Sequence, residues 1–286
     1  MSWKINRYNK KTAKQFGWHP CWFSPRLRNF DDNLTYEVMK FQQRYNLEED
    51  GMVGPTTYRR ILTEREASEI EMKNFISINN QRIPIDWDVK IDLIKPGSYK
   101  DVEKFRNVKM IVTHWDATTS AKTCKRILEA RNISTHFCID NDGVIYQFLD
   151  TNNVAWHAGR RTINNRSIGV DFSNAYYLKY NEKYKKMGFN KRPIINDSTV
   201  HGVKLKSHLG YYNVQIKAYK TLLKVLCTYY NIPLQVPEDE NGELLTRVHE
   251  ESVKSKFNGI VCHYHLTRNK IDCAGLKLKN IIDSLH

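Results

Sequence analysis

The chain has 286 residues, 41% of them hydrophobic and 12% aromatic, with 45 Lys and Arg against 31 Asp and Glu and a net charge of +14. That length suits one large domain, or a medium domain plus a small one, and the composition is globular rather than disordered. No apolar run approaches the roughly 20 residues of a membrane span, and a charge this basic favours polyanions such as nucleic acid, anionic membranes or wall polymers without choosing among them.

The N-terminus, Met-Ser-Trp-Lys-Ile-Asn-Arg-Tyr, lacks the apolar core of a secretory signal. Synthesis in a cytoplasm without an export address is therefore expected, and membrane insertion is not. Six cysteines (Cys21, Cys124, Cys138, Cys227, Cys262 and Cys273) show no C-x-x-C spacing. Most sit in apolar runs and read as buried free thiols; Cys273 is left open.

Residues 1–20 are basic and aromatic and read as a short helix or loop. After Leu34-Thr35, the residues Val38, Met39, Phe41 and Tyr45 fall on one side at helical spacing. Asp50-Gly51 makes a turn, and a second helix starts near Pro55, a residue suited to a first turn. Residues 64–75 are charged and helix-prone and are expected to connect two domains, 1–65 and 66–286. Phe75 to Ile85 reads as a hairpin around Asn79-Asn80, and 86–105 as irregular.

Met110-Ile-Val-Thr-His114 is an apolar strand ending on a histidine. A helix follows from Thr119 to Ala130. Phe137–Asp140 and Val144–Leu149 flank Asn141-Asp142-Gly143, a strong hairpin signal. In Ser167-Ile-Gly-Val-Asp-Phe172, Ile168, Val170 and Phe172 face one way and Gly169 and Asp171 the other. Residues 176–212 form a polar, lysine-rich excursion. Gln215 to Tyr230 is a helix whose apolar stripe runs through Tyr219, Leu222, Leu223 and Leu226. Ile260-Val-Cys262 is a strand leading into His263, and Leu276 to Leu285 closes the chain as a helix.

The run from His263 to Gly275 packs two histidines, Lys270, Asp272 and Cys273 into a dozen residues. Neutral imidazole with a carboxylate or thiolate is the donor set of a zinc site. His114, at the end of its own strand, is the best third ligand, because sites in α/β sheets gather at strand carboxyl ends.

Two resemblances organise these pieces. Leu34-Thr35, Lys40-Phe41-Gln42 and Asp50-Gly51-Met-Val53-Gly54-Pro55-Thr56-Thr57 resemble the small helical peptidoglycan-binding module. His114-Trp115-Asp116-Ala117, Ser134-Thr135-His136-Phe137, Trp156-His157-Ala158-Gly159, Ser167-Ile168-Gly169-Val170-Asp171, Asn174, His263 and Lys270-Ile-Asp272-Cys-Ala-Gly275 resemble, in this order, the zinc-dependent N-acetylmuramoyl-L-alanine amidases of the amidase-2 type. The resemblance implies an α/β fold, a mixed central β-sheet flanked by helices, behind a small N-terminal all-α domain.

It also implies a Zn2+ cofactor held by His114, His263 and Asp272, with Asp171 as general base and Lys270 as oxyanion stabiliser. Glu is more usual at the position of Asp171, which is shorter by one methylene. Cys273 imitates the ligating Cys of some relatives and remains an alternative to Asp272, as His265 does to His263. Trp115, Thr135, His136, Trp156, His157 and Asn174 are expected to line the substrate groove.

The implied activity is cleavage of the amide between N-acetylmuramic acid and L-alanine in bacterial peptidoglycan by a monomer acting on the cell wall, as a phage endolysin does. A non-catalytic recognition protein that grips the stem peptide is the alternative. No nucleic-acid partner is expected, since that reading rests on charge alone.

Overall fold

The computed structural model describes residues 2–71, 74–102 and 104–286. The chain divides into two compact units, Met1–Lys73 and Asn74–His286. Of the expected connection at 64–75, residues up to Glu71 continue a helix that starts at Pro55, and residues 72 and 73 lie outside the described residues.

The first unit is helical. Ser2–Phe16, Asp32–Arg44 and Pro55–Glu71 are its helices. They close over Trp18, Leu34, Val38 and Val53, all buried. Ser2–Phe16 is a full helix rather than a short one. Its inner face holds Asn9, whose amide donates to the Gly51 carbonyl at 2.9 Å and accepts from the Val53 N–H at 2.8 Å. Gln42 grips the same turn: it donates to Asp50 at 2.7 Å and accepts from the Gly51 N–H at 2.9 Å. The Asp50-Gly51-Met-Val53 motif is thus a loop whose backbone is hydrogen-bonded by side chains from two helices. Gly51 has φ +69°, and a Cβ there would lie 2.7 Å from Thr35 Cγ2, so only glycine fits.

The second unit is built on a six-stranded mixed sheet. Its spatial order is Gly259–Cys262, Met110–Trp115, Ser167–Phe172, Phe137–Ile139, Ile145–Gln147 and Val89–Ile91. All neighbouring pairs are parallel except the hairpin pair Phe137–Ile139 and Ile145–Gln147. Ile111, Phe137, Ile139, Ile168, Val170, Phe172 and Ile260 share one face. They pack against the helices Asn213–Tyr230 and Leu278–Asp283 in the main core. The alternate residues Met110, Val112 and Val261 pack on the other side with Ile163. Cys138 and Tyr146 there meet Cys124 of the helix Ala121–Ala130. Burial on both faces explains why these strands read as continuous apolar runs.

Residues 86–105 are more regular than their sequence suggests. Val89–Ile91 forms the sheet edge, and Tyr99–Lys100 pairs with Val154–Ala155. The 176–212 excursion contains the helix Asn181–Lys186 and two short ladders, Ile194–Ile195 with His208–Leu209 and Thr199–Val200 with Val203–Lys204. It is anchored by Arg192, which is buried, donates to the carbonyl oxygens of Gly210 and Ser173 and to the Asn141 side chain, and lies over the rings of Tyr184 and Tyr212.

Candidate active site

The register of the sheet builds the site. His114 pairs with Asp171 across two parallel strands, so both side chains leave the same face, opposite the long helix. Cys262 pairs with Thr113, so His263 emerges beside His114. The chain then makes a short 3-10 turn, His263–His265, and returns so that the Tyr264 N–H donates to the Asp272 carbonyl at 3.1 Å. That return brings the Asp272 side chain back under the two histidines.

Three donor atoms converge there. His114 Nδ1 lies 3.0 Å from His263 Nδ1 and 3.2 Å from Asp272 Oδ2, and His263 Nδ1 lies 3.1 Å from the same oxygen. All three residues are buried, and they form a cluster able to hold a metal ion. Cys273 faces away into the main core. His265 is also occupied elsewhere: its Nδ1 accepts from the Cys262 N–H at 2.9 Å and its Nε2 donates to the Leu245 carbonyl at 2.6 Å. Both alternatives left open by the sequence are thereby turned away from the cluster.

The cluster lies in a cavity of about 200 Å³. Trp115, Thr135, Trp156, His157, Asp171 and Lys270 line it along with the three donors. Asp116, Thr118, Arg131 and Ser134 line it too; Asp116 and Ser134 fall inside the quoted motifs without having been singled out, and Thr118 and Arg131 lie outside them. Burial pushes the Asp171 carboxyl well above the ordinary carboxylate range, and the nearby Asp116 charge adds to this, while the Thr135 hydroxyl and the Lys270 ammonium work against it. Burial would likewise raise Asp272, but the His114 and His263 imidazoles outweigh it and hold that carboxyl below its usual range. Burial, with His263 beside it, lowers His114 to about 4. At neutral pH the cluster therefore sets an ionised Asp272 beside a neutral His114 ring, and two imidazoles with one carboxylate are a donor set for a divalent cation.

Two residues expected in the groove do not line the cavity. The Asn174 side chain is buried beneath the excursion, donating to the Leu209 and Gly210 carbonyls at 3.0 and 3.1 Å and accepting from the Tyr176 N–H at 3.0 Å. It clamps the excursion to the end of the sheet. His136 is fully buried: its Nδ1 accepts from the Gly169 N–H at 3.0 Å, and its Nε2 lies 3.1 Å from the Asn153 carbonyl. It joins a strand to a loop. The excursion contributes an aromatic neighbour that the sequence did not reveal. Tyr176, at φ +65°, sits 4.9 Å from Trp115 and stacks on His208 at 5.0 Å.

Comparison with known proteins bears on this geometry. Residues 104–272 match the N-acetylmuramoyl-L-alanine amidase family, and residues 14–61 match the peptidoglycan binding domain family. A search of curated proteins finds no match. Among solved structures, the chain is similar to an endolysin mutant from Bacillus subtilis (18% identity, 70% of this chain and 99% of that one, TM-score 0.39). It is also similar to the amidase LysC from Clostridium intestinale (18% identity, 68% and 97%, TM-score 0.40). A third likeness is to the amidase AmiD from E. coli (20% identity, 47% and 48%, TM-score 0.32), of which the chain spans about half the length. These likenesses are distant, and the family match does not depend on them. Since that match takes in more than half of the chain, the protein belongs to the N-acetylmuramoyl-L-alanine amidase family.

Proposed function

We propose that this peptidoglycan amidase hydrolyses the bond between the lactyl carbonyl of N-acetylmuramic acid and the L-alanine nitrogen, with zinc as its metal. The observation that carries the reading is the donor triangle of His114, His263 and Asp272, with sides of 3.0–3.2 Å, on the floor of an open cavity. Tetrahedral zinc with bonds of about 2.0–2.2 Å to N and O separates its donors by about 3.3–3.6 Å, so the residues present fit the ion within a few tenths of an ångström. Two imidazoles and one carboxylate also leave one coordination position open, as a catalytic site requires.

Bound there, zinc would supply Lewis acidity, polarising the scissile carbonyl and acidifying water towards pKa ~7. The chain's own groups do the rest. Asp171 takes the proton of the attacking water and delivers it to the departing amine. The Lys270 ammonium stands where negative charge develops on the carbonyl oxygen. Its charge already acts on both His114 and Asp171. Trp115, Thr135, Trp156 and His157 shape the groove that positions the substrate.

The N-terminal unit serves as the wall-binding module. The reading extends to an endolysin-like, bacteriolytic role, for which the net charge of +14 is suited because it draws the chain to anionic wall polymers. All the residues named come from one chain, so a monomer suffices. The test is digestion of purified bacterial walls by the zinc-supplemented protein, followed by mass spectrometry. Stem peptides with a free N-terminal L-alanine are expected. Their absence, with zinc bound one to one, overturns the reading.

A further inference from the structure

His157 carries a second role that its place in the groove does not require. A neutral imidazole has one donor nitrogen and one acceptor nitrogen, and what each nitrogen meets fixes which is which. Around His157 those partners form a directional chain. The Ser167 hydroxyl donates its single proton to the Ile163 carbonyl at 2.7 Å. Towards His157 Nε2, 3.1 Å away, that oxygen is left to accept. His157 is thereby protonated on Nε2 and bare on Nδ1. Its Nδ1 faces His114 Nε2 at 3.0 Å, with the rings edge to face at 89°. His114 is then the donor of this contact, protonated on Nε2, and its Nδ1 lone pair points at Asp272 and His263.

We propose that His157 is a positioning residue which, through Ser167, holds His114 in the tautomer that leaves Nδ1 bare for a metal ion. The inference rests on the reading of His114 as a ligand, and it reaches one step behind that ligand. Outer partners of this kind orient a ligating histidine and set its tautomer. The packing enforces the contact. A Cβ on Gly169 would lie 2.8 Å from His157 Cγ and 2.9 Å from its Nδ1, so the ring lies directly on the strand backbone and cannot swing away.

The test separates a relay from simple space-filling. His157→Phe keeps the ring and removes the acceptor. His157→Asn places an amide oxygen where Nδ1 was and gives up the ring. Zinc affinity of the full chain, measured by competition with a chromogenic chelator, is the readout. The relay predicts a 10- to 100-fold loss for His157→Phe and recovery to within a few fold of wild type for His157→Asn. A loss of affinity in Ser167→Ala, smaller than in His157→Phe, is also expected and keeps the test open if the ring substitutions misfold. Unchanged affinity in a folded His157→Phe protein overturns the relay alone, as does retention in Phe with loss in Asn. Wild-type protein that takes up no stoichiometric zinc overturns the relay and the proposed function together.

Discussion

Replacing Asp272 by asparagine tests the donor triangle while keeping its shape. The charge leaves, and the carboxylate that faces both imidazoles at 3.1–3.2 Å becomes a neutral amide. A ligand that binds only the folded state at 100 times its Kd stabilises by about 2.7 kcal/mol. The unit Asn74–His286 is of a size for which each kcal/mol moves Tm by about 2–4 °C. Zinc at that excess should therefore raise the wild-type Tm by about 5–11 °C. Losing a direct ligand weakens binding at least as much as losing an outer partner, taken here as about 100-fold. The stabilisation then falls to about 0.4 kcal/mol and the shift to about 1–2 °C. Differential scanning calorimetry with and without zinc reads the shift within each variant, so changes in baseline stability cancel. Cys273→Ser is the counterpart and should keep the full shift, because its side chain lies in the core. The reverse pattern, a full shift in Asp272→Asn and none in Cys273→Ser, would refute the placement.

Lys270→Met should bind zinc as wild type does, since its ammonium is not among the three donors, yet lose on the order of 10²–10³ in kcat on muropeptides. Asp171→Asn should likewise keep zinc and lose on the order of 10²–10⁴ in rate, the worth of a positioned general base; steady-state kinetics beside metal analysis checks both. Stability should fall below about pH 6.5, because burial keeps His136 neutral, well below 6.5, in the fold. The unfolded chain takes up a proton there that the fold refuses, so the His136 contribution is fully present above that pH and is lost as pH drops, by up to about 1.4 kcal/mol per unit. Denaturation midpoints at pH 7.5 and 5.5 should converge in His136→Gln by the share of one proton; an unchanged pH slope would contradict this.

Much of this architecture was legible because it depends on local pattern. The central strands announce themselves as apolar runs, and the long helix as a stripe at helical spacing. The alternation in Ser167–Phe172 put Asp171 on the face away from the core residues Ile168, Val170 and Phe172, where the structure also has it. The less legible parts depend on partners far along the chain. Ser2–Phe16 is largely polar and buries Asn9, whose purpose appears only when the loop at Gly51 meets it. Strands of two or three residues, such as Tyr99–Lys100, carry too little pattern to be seen. His136 and Asn174 sit in motifs that also hold groove residues, and sequence gives no sign of which side chain turns inward to bind a backbone.

The proposed choice of Asp171 as the base rests on how the three carboxylates of the cavity differ. Asp116, Asp171 and Asp272 all line one small cavity. Asp116 accepts from the Thr118 N–H at 2.7 Å, the Thr118 hydroxyl at 2.6 Å, the Ser173 hydroxyl at 2.9 Å and the Asn174 N–H at 3.0 Å. Four donors on two oxygens leave it no free lone pair for a substrate proton, and it serves to tie strand ends together. Asp272 is turned to the imidazoles and held ionised by them, which suits a ligand and ill suits a proton carrier. Asp171 is buried, raised in pKa, and faces few donors that would hold its charge. A cation in the triangle would act against this rise, since a nearby positive charge favours the ionised carboxylate that a general base needs.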